Sequence, residues 1–180
     1  MKFKLDKKLL GLLVIIIAIG VVGITYYSNS GKPMTRYNFQ GVDLSFRDDL
    51  ILSKNISVYP DEDAILNAIW SPEIQNITIA YMNTSDNQLA AVNAFEITYK
   101  LSVGYRQFSW FINFNGKEVE SFKNLNGSNE NLVIALVPPS LATDTSVEFD
   151  DHVVYIKGKT PQEFDRATIK FIMSALNITV

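Results

Sequence analysis

Residues 87–105 read NQLAAVNAFEITYKLSVGY, and whether they form a strand or a helix decides the fold. Phe95, Ile97, Tyr99, Leu101, Val103 and Tyr105 alternate with polar or small residues, which is a strand pattern. On a helix the same stretch leaves Asn93, Glu96 and Lys100 on one narrow polar stripe and nearly everything else on a wide apolar face. The helix also sets Glu96 four residues before Lys100, the favourable order for an ion pair. Asp86 stands where an N-cap is wanted, and Ala90, Ala91 and Ala94 are good helix formers. No Gly or Pro between Asn87 and Val103 lets a helix give way to a strand. The stretch therefore predicts a largely buried helix.

On its N-terminal side, Ile77 to Met82 reads as an apolar strand. Before it, Tyr59-Pro60-Asp61 opens a short helix with Asp61, Glu62 and Asp63 at the end the dipole makes positive. Ile65, Ala68 and Ile69 form the buried face of that helix, and Ser71-Pro72 stops it. Val42, Leu44 and Phe46 alternate as in a half-buried strand, and Ile56 with Val58 suggests another. On the C-terminal side, Phe108 to Phe114 predicts a strand ending at an Asn115-Gly116 turn, and residues 124–129 a loop. Leu132 to Val137 has the continuous apolar pattern of a strand buried on both faces, closed by Pro138-Pro139. Val147 to Phe149 and Val153 to Ile156 predict a hairpin around Asp150-Asp151. Thr160-Pro161-Gln162-Glu163 supplies an N-cap, a first-turn proline and a capping-box glutamate. Phe164, Ala167, Phe171, Ile172, Ala175 and Leu176 then recur at helical spacing. The sum is an α/β domain, with α+β as the alternative, built on one mixed sheet with at least two covering helices.

The first thirty residues have a different character. Residues 1–8 carry Lys2, Lys4, Lys7 and Lys8, and from Leu9 the chain is apolar through Ile24, trailing into Tyr26 and Tyr27. At 1.5 Å per residue, residues 9–27 reach about 28 Å, close to the hydrocarbon thickness of a bilayer. The lysine asymmetry predicts a basic cytoplasmic stub (1–8), a transmembrane helix (9–27) and an exported C-terminus. Residues 28–36 are then a polar, breaker-rich tether, and 37–180 an extracytoplasmic domain. A cleaved signal peptide is the competing reading; its apolar region is shorter and ends in small residues, where this chain has Ile24, Tyr26 and Tyr27.

Composition narrows the chemistry. The 180 residues contain no cysteine, which removes disulfides, thiolate catalysis and thiolate zinc sites. A net charge of −3 advertises no nucleic-acid partner. His152 is the only histidine and has no partner in sequence for a catalytic triad or a zinc site. The acidic pairs Asp48-Asp49, Asp61 with Asp63, and Asp150-Asp151 are the residues through which calcium or paired-carboxylate chemistry would act, although no EF-hand spacing occurs. Gly158-Lys159-Thr160 before a helix has Val153 where a phosphate-binding loop needs glycine, so capping is the better account. The loop Pro139 to Ser146 follows a buried strand, where α/β sheets gather ligands. Asn55, Asn76, Asn83, Asn126 and Asn177 each begin Asn-x-Ser/Thr and are candidate glycan acceptors on an exported domain. No catalytic, cofactor or metal residue is singled out.

Val137-Pro138-Pro139-Ser140, Val154 to Thr160 and Phe164-Asp165-Arg166-Ala167-Thr168 resemble C-terminal parts of uncharacterised single-pass envelope proteins of archaea. The resemblance implies an exported α/β module and carries no activity or catalytic residue with it. The expectation is a membrane-tethered interaction or structural module of the cell envelope, with the bilayer and an envelope protein as partners. A tethered carboxylate-dependent hydrolase and a pilin-like surface subunit are the alternatives. Pilins place a small residue directly after the charge that opens the apolar run, whereas Lys8 is followed here by Leu9-Leu10-Gly11.

Overall fold

The computed structural model describes residues 34–180. The stretches expected to be a cytoplasmic stub (1–8), a transmembrane helix (9–27) and most of the tether (28–36) lie outside the described residues. Among those described, no helix is long and apolar enough to cross a membrane.

Residues 87–105 are helical, within a helix running Asn87–Gln107. Eight strands and four helices follow one another as β1 (Thr35–Phe39), β2 (Val42–Phe46), α1 (Leu50–Lys54), β3 (Ser57–Tyr59), α2 (Glu62–Ile69), β4 (Asn76–Tyr81), α3 (Asn87–Gln107), β5 (Asn113–Glu118), β6 (Asn131–Val137), β7 (Ser146–Asp150), β8 (Val153–Lys157) and α4 (Pro161–Ala175). Six strands make one mixed sheet in the order β3-β7-β8-β6-β4-β5. β8, β6, β4 and β5 run parallel, whereas β7 is antiparallel to β8 and carries β3 parallel to itself.

Strand alternation gives this sheet two unlike faces. Ile77, Ile79, Leu132, Ile134, Leu136, Val147, Val154 and Ile156 point into the main core, to which all four helices contribute. Ala80, Val133, Ala135 and Val153 point the other way and are covered by Val119, Phe122 and Leu125 of the β5–β6 connection and by Tyr155. No helix takes part in this second cluster. β6 is apolar on both faces because it lies between β4 and β8 with side chains buried above and below.

α4 is the hub of the helical layer, touching α1, α2, α3, β7 and β8. Thr160 Oγ1 accepts from the Glu163 N–H at 3.2 Å and Pro161 opens the helix, as its sequence predicts. The helix ends in a Schellman turn. Asn177 adopts φ 52°, and the Ile178 N–H donates to the Met173 carbonyl at 2.8 Å. β1 and β2 form a separate hairpin whose Phe39, Leu44 and Phe46 join the main core.

Four local expectations need correction. Asp86 makes no side-chain cap on α3; its carboxylate accepts from the Ser140 N–H at 2.9 Å and so ties two loops together. Phe108 to Ile112 is a connection, and β5 runs straight through Asn115-Gly116 because parallel pairing with β4 supplies its backbone partners. Regular structure begins at Thr35, inside the stretch read as tether, and α1 is an additional helix, capped by Asp49 through the Ile51 N–H at 2.7 Å. The turn between β7 and β8 falls on Asp151 and His152, both at positive φ, one residue later than Asp150-Asp151.

Candidate functional site

The polar stripe of α3 faces inward. Asn93, Glu96 and Lys100 are all buried, and they meet Arg47, which directly follows β2. Arg47 Nη2 donates to Asn93 Oδ1 at 2.6 Å and lies 3.2 Å from Asp165 Oδ1 of α4; its Nε is 3.4 Å from Glu96 Oε1. Glu96 also binds the Lys100 ammonium, which sits 4.7 Å from the centre of the Phe46 ring. Desolvation, with the Arg47 charge added, pushes the Lys100 ammonium down to about 7. Next to this group Asp48 accepts from Arg166 Nε at 3.1 Å, and Lys170 of α4 pairs with Glu62 at 2.6 Å. Burial alone would raise the Glu62 carboxyl, but Lys170 and Ser174 hold it below its ordinary value. The network clamps the hairpin to α3 and α4. Lys100 is only 1% exposed, so no substrate reaches it from solvent.

The acidic residues singled out in the sequence do not converge. Asp49 caps α1 and Asp61 caps α2, the latter through the Ala64 N–H at 2.8 Å. Asp144 precedes β7 while Asp150 ends it, roughly 20 Å of extended chain away. Ser146 lies 2.8 Å from carboxylate oxygens of both Asp144 and Glu148, and Lys157 opposite it is held by Glu148 at 2.7 Å. His152 occupies the β7–β8 turn, and its carbonyl accepts from Val133 at 3.0 Å. A Cβ on Gly127 would stand 2.2 Å from that carbonyl, so glycine lets the 119–130 connection close over the sheet. Gly158 likewise approaches the Phe164 backbone, where a Cβ would lie 2.3 Å from N and Cα; Gly158-Lys159-Thr160 is a helix-docking turn. In the Pro139 to Ser146 loop, the Leu141 and Ala142 N–H groups turn back onto the Pro138 carbonyl. Among the described residues no group of His, Asp or Glu is placed to hold a metal ion.

Of the five sequon asparagines, Asn55, Asn83, Asn126 and Asn177 are exposed. Asn76 is half-buried in β4, paired on both sides, with its amide oxygen 3.4 Å from Asn113 Nδ2.

A concavity of about 590 Å³ opens where three helices end. Trp70, Phe108 and Leu176 occupy the C-terminal caps of α2, α3 and α4, and all three line it. Tyr37, Asn38, Phe39 and Gln40 from the β1–β2 hairpin form another wall; Leu66 and Asn67 of α2 and Asn177 of the Schellman turn complete it. The Trp70 indole N–H donates to the Ala175 carbonyl at 2.7 Å, and its ring packs against Tyr105, Phe108 and Trp110 at centroid distances of 4.9, 5.0 and 5.9 Å. Tyr105 is anchored in turn by donating to the Ile69 carbonyl at 2.6 Å. Among the described residues, the Tyr37 phenol is the only ionisable side chain in the lining. This wall is aromatic and amide-rich, a lining suited to binding.

Sequence reasoning found only Asn177 of this set, and for another reason. The available signal was weak: Trp70 and Phe108 are large aromatics placed directly beyond the ends of apolar helices. Comparison of the chain with protein-family models, with curated proteins and with solved structures finds no match.

Proposed function

We propose that this chain is a single-pass, membrane-tethered interaction module of the cell envelope, and that the cleft at the three helix ends is its recognition face. The observation that carries the reading is the cleft's lining, which offers aromatic rings and amides and, among the described residues, no carboxylate, imidazole or amine. The carboxylate-hydrolase alternative loses support because Asp49 and Asp61 serve as helix caps and Asp48 pairs with Arg166. The address rests on the apolar stretch 9–27 and the four lysines before it. Its partners are then the bilayer on one side and an envelope component on the other.

The test uses the full-length chain in intact cells. A photo-reactive residue in place of Asn67, at the cleft, is expected to give a discrete adduct; the same residue in place of Asn124, outside the cleft, is expected to give none. Protease added outside is expected to remove a C-terminal tag, and carbonate-washed membranes to retain the chain. A protease-resistant tag in intact cells, or equal labelling from both positions, contradicts the proposal.

A further inference from the structure

We infer that the cleft takes a neutral, hydroxyl-rich ligand, a glycan segment without acidic or phosphate groups; this rests on the reading of the cleft as a recognition face. The first argument is the polar half of the lining. Gln40, Asn67 and Asn177 present side-chain amides that make no hydrogen bond within the described residues. An amide both donates and accepts, as a sugar hydroxyl does, so each of the three matches a hydroxyl in either sense. Asn38 is different. Its amide already donates to Asp43 Oδ1 at 2.8 Å and accepts from the Gly41 N–H at 3.1 Å, which holds the hairpin tip in place.

The second argument is the apolar half. Trp70 is immobilised by its bond to Ala175 and by neighbouring rings, so a ligand stacking beside it pays little ordering entropy. The C–H face of a pyranose is a flat apolar surface suited to such rings. The third argument is electrostatic. Three helices direct their C-terminal ends, the negative ends of their dipoles, at one cleft; Arg106 in the last turn of α3 offsets one of them, while the last turns of α2 and α4 carry no basic residue and, among the described residues, no basic side chain lines the cleft. Uronates, phosphates and peptide carboxylates are therefore disfavoured, while hydroxyl donors are welcome. The volume lies within the range of small-ligand sites and the cleft is open, which suits the interior of a polymer as well as its end.

The experiment uses the full chain in lipid nanodiscs prepared without glycoside detergent. The probes are neutral hexasaccharides of glucose, mannose and N-acetylglucosamine, a hexamer of galacturonic acid, and tetramethylammonium chloride. Tryptophan fluorescence and calorimetry report binding. At least one neutral hexasaccharide is expected to bind, with affinity lowered five-fold or more by Asn67→Ala and by Gln40→Ala and unchanged by Asn124→Ala. Nanodiscs containing a glycolipid with the same sugar headgroup, tested as competitor, separate a membrane-borne source from a free polymer. Both variants are at exposed positions, and an unchanged melting curve shows that they fold. Tighter binding of the uronate or of tetramethylammonium overturns the inference, as does neutral-glycan binding indifferent to both cleft variants. Absence of glycan binding together with a discrete polypeptide adduct from position 67 overturns the glycan assignment and leaves the recognition face standing. Absence of both overturns the two together.

Discussion

Lys100 shows how one residue reports on its burial. Its ammonium is pushed down from 10.5 to about 7 by desolvation and by Arg47, while Glu96 holds it and Asp165 balances Arg47. Between those two values the unfolded chain binds a proton at this site that the folded chain lacks. Folding stability from this group therefore rises as pH climbs from about 7 towards 10 and is flat below 7, where both states are protonated. Urea midpoints followed by tryptophan fluorescence should show the rise, and Lys100→Met should flatten it; an unchanged slope in the variant would place the ammonium in contact with water. Gly158 gives a second residue-scale test. Because a Cβ there meets the Phe164 backbone, Gly158→Ala should cost about 2–3 kcal/mol, against about 1 kcal/mol for loss of the Thr160 cap in Thr160→Ala. Denaturation midpoints that rank the two the other way would mean α4 does not dock as closely as described. The sequence announces Thr160 through its neighbours. It says nothing of Gly158, whose reason is a contact made only in three dimensions.

At the scale of elements, α3 explains why residues 87–105 support two readings. The alternating set divides into two ladders with a step of four. Ile97, Leu101 and Tyr105 face the core, while Phe95 and Tyr99 face out and stack on each other at 6.1 Å. A strand would have put all of them on one face. Ile97→Ala and Leu101→Ala should therefore each cost about 2–5 kcal/mol, and Phe95→Ala and Tyr99→Ala less than about 0.5 kcal/mol. Equal losses from all four, measured by urea unfolding, would contradict the helix. The polar stripe was visible in the sequence, but its direction was not. Whether Asn93, Glu96 and Lys100 meet water or Arg47 depends on a hairpin more than forty residues earlier, and local periodicity carries no record of that partner. The β5 misassignment has the same origin: Phe108 to Ile112 is as apolar as a strand, yet pairing with β4 falls to the polar residues after it.

At the scale of the molecule, strong local signals made α4, β6 and the β7–β8 hairpin legible, and those elements place the centre of the sheet and of the helical layer. The cleft was not legible, because Tyr37, Asn67, Trp70, Phe108 and Asn177 come from four separate segments and share no motif. They meet only because three helices end at the same height beside the hairpin. The central claim is that this meeting point is where the domain engages its ligand. Hydrogen exchange of the full chain in nanodiscs, with and without the tightest-binding neutral hexasaccharide, tests it most directly. The account predicts slowed exchange in residues 37–41, 66–70 and 176–178 together, with 117–131 on the far side of the sheet unchanged. Protection confined to 117–131, or none in the three cleft segments, would contradict it.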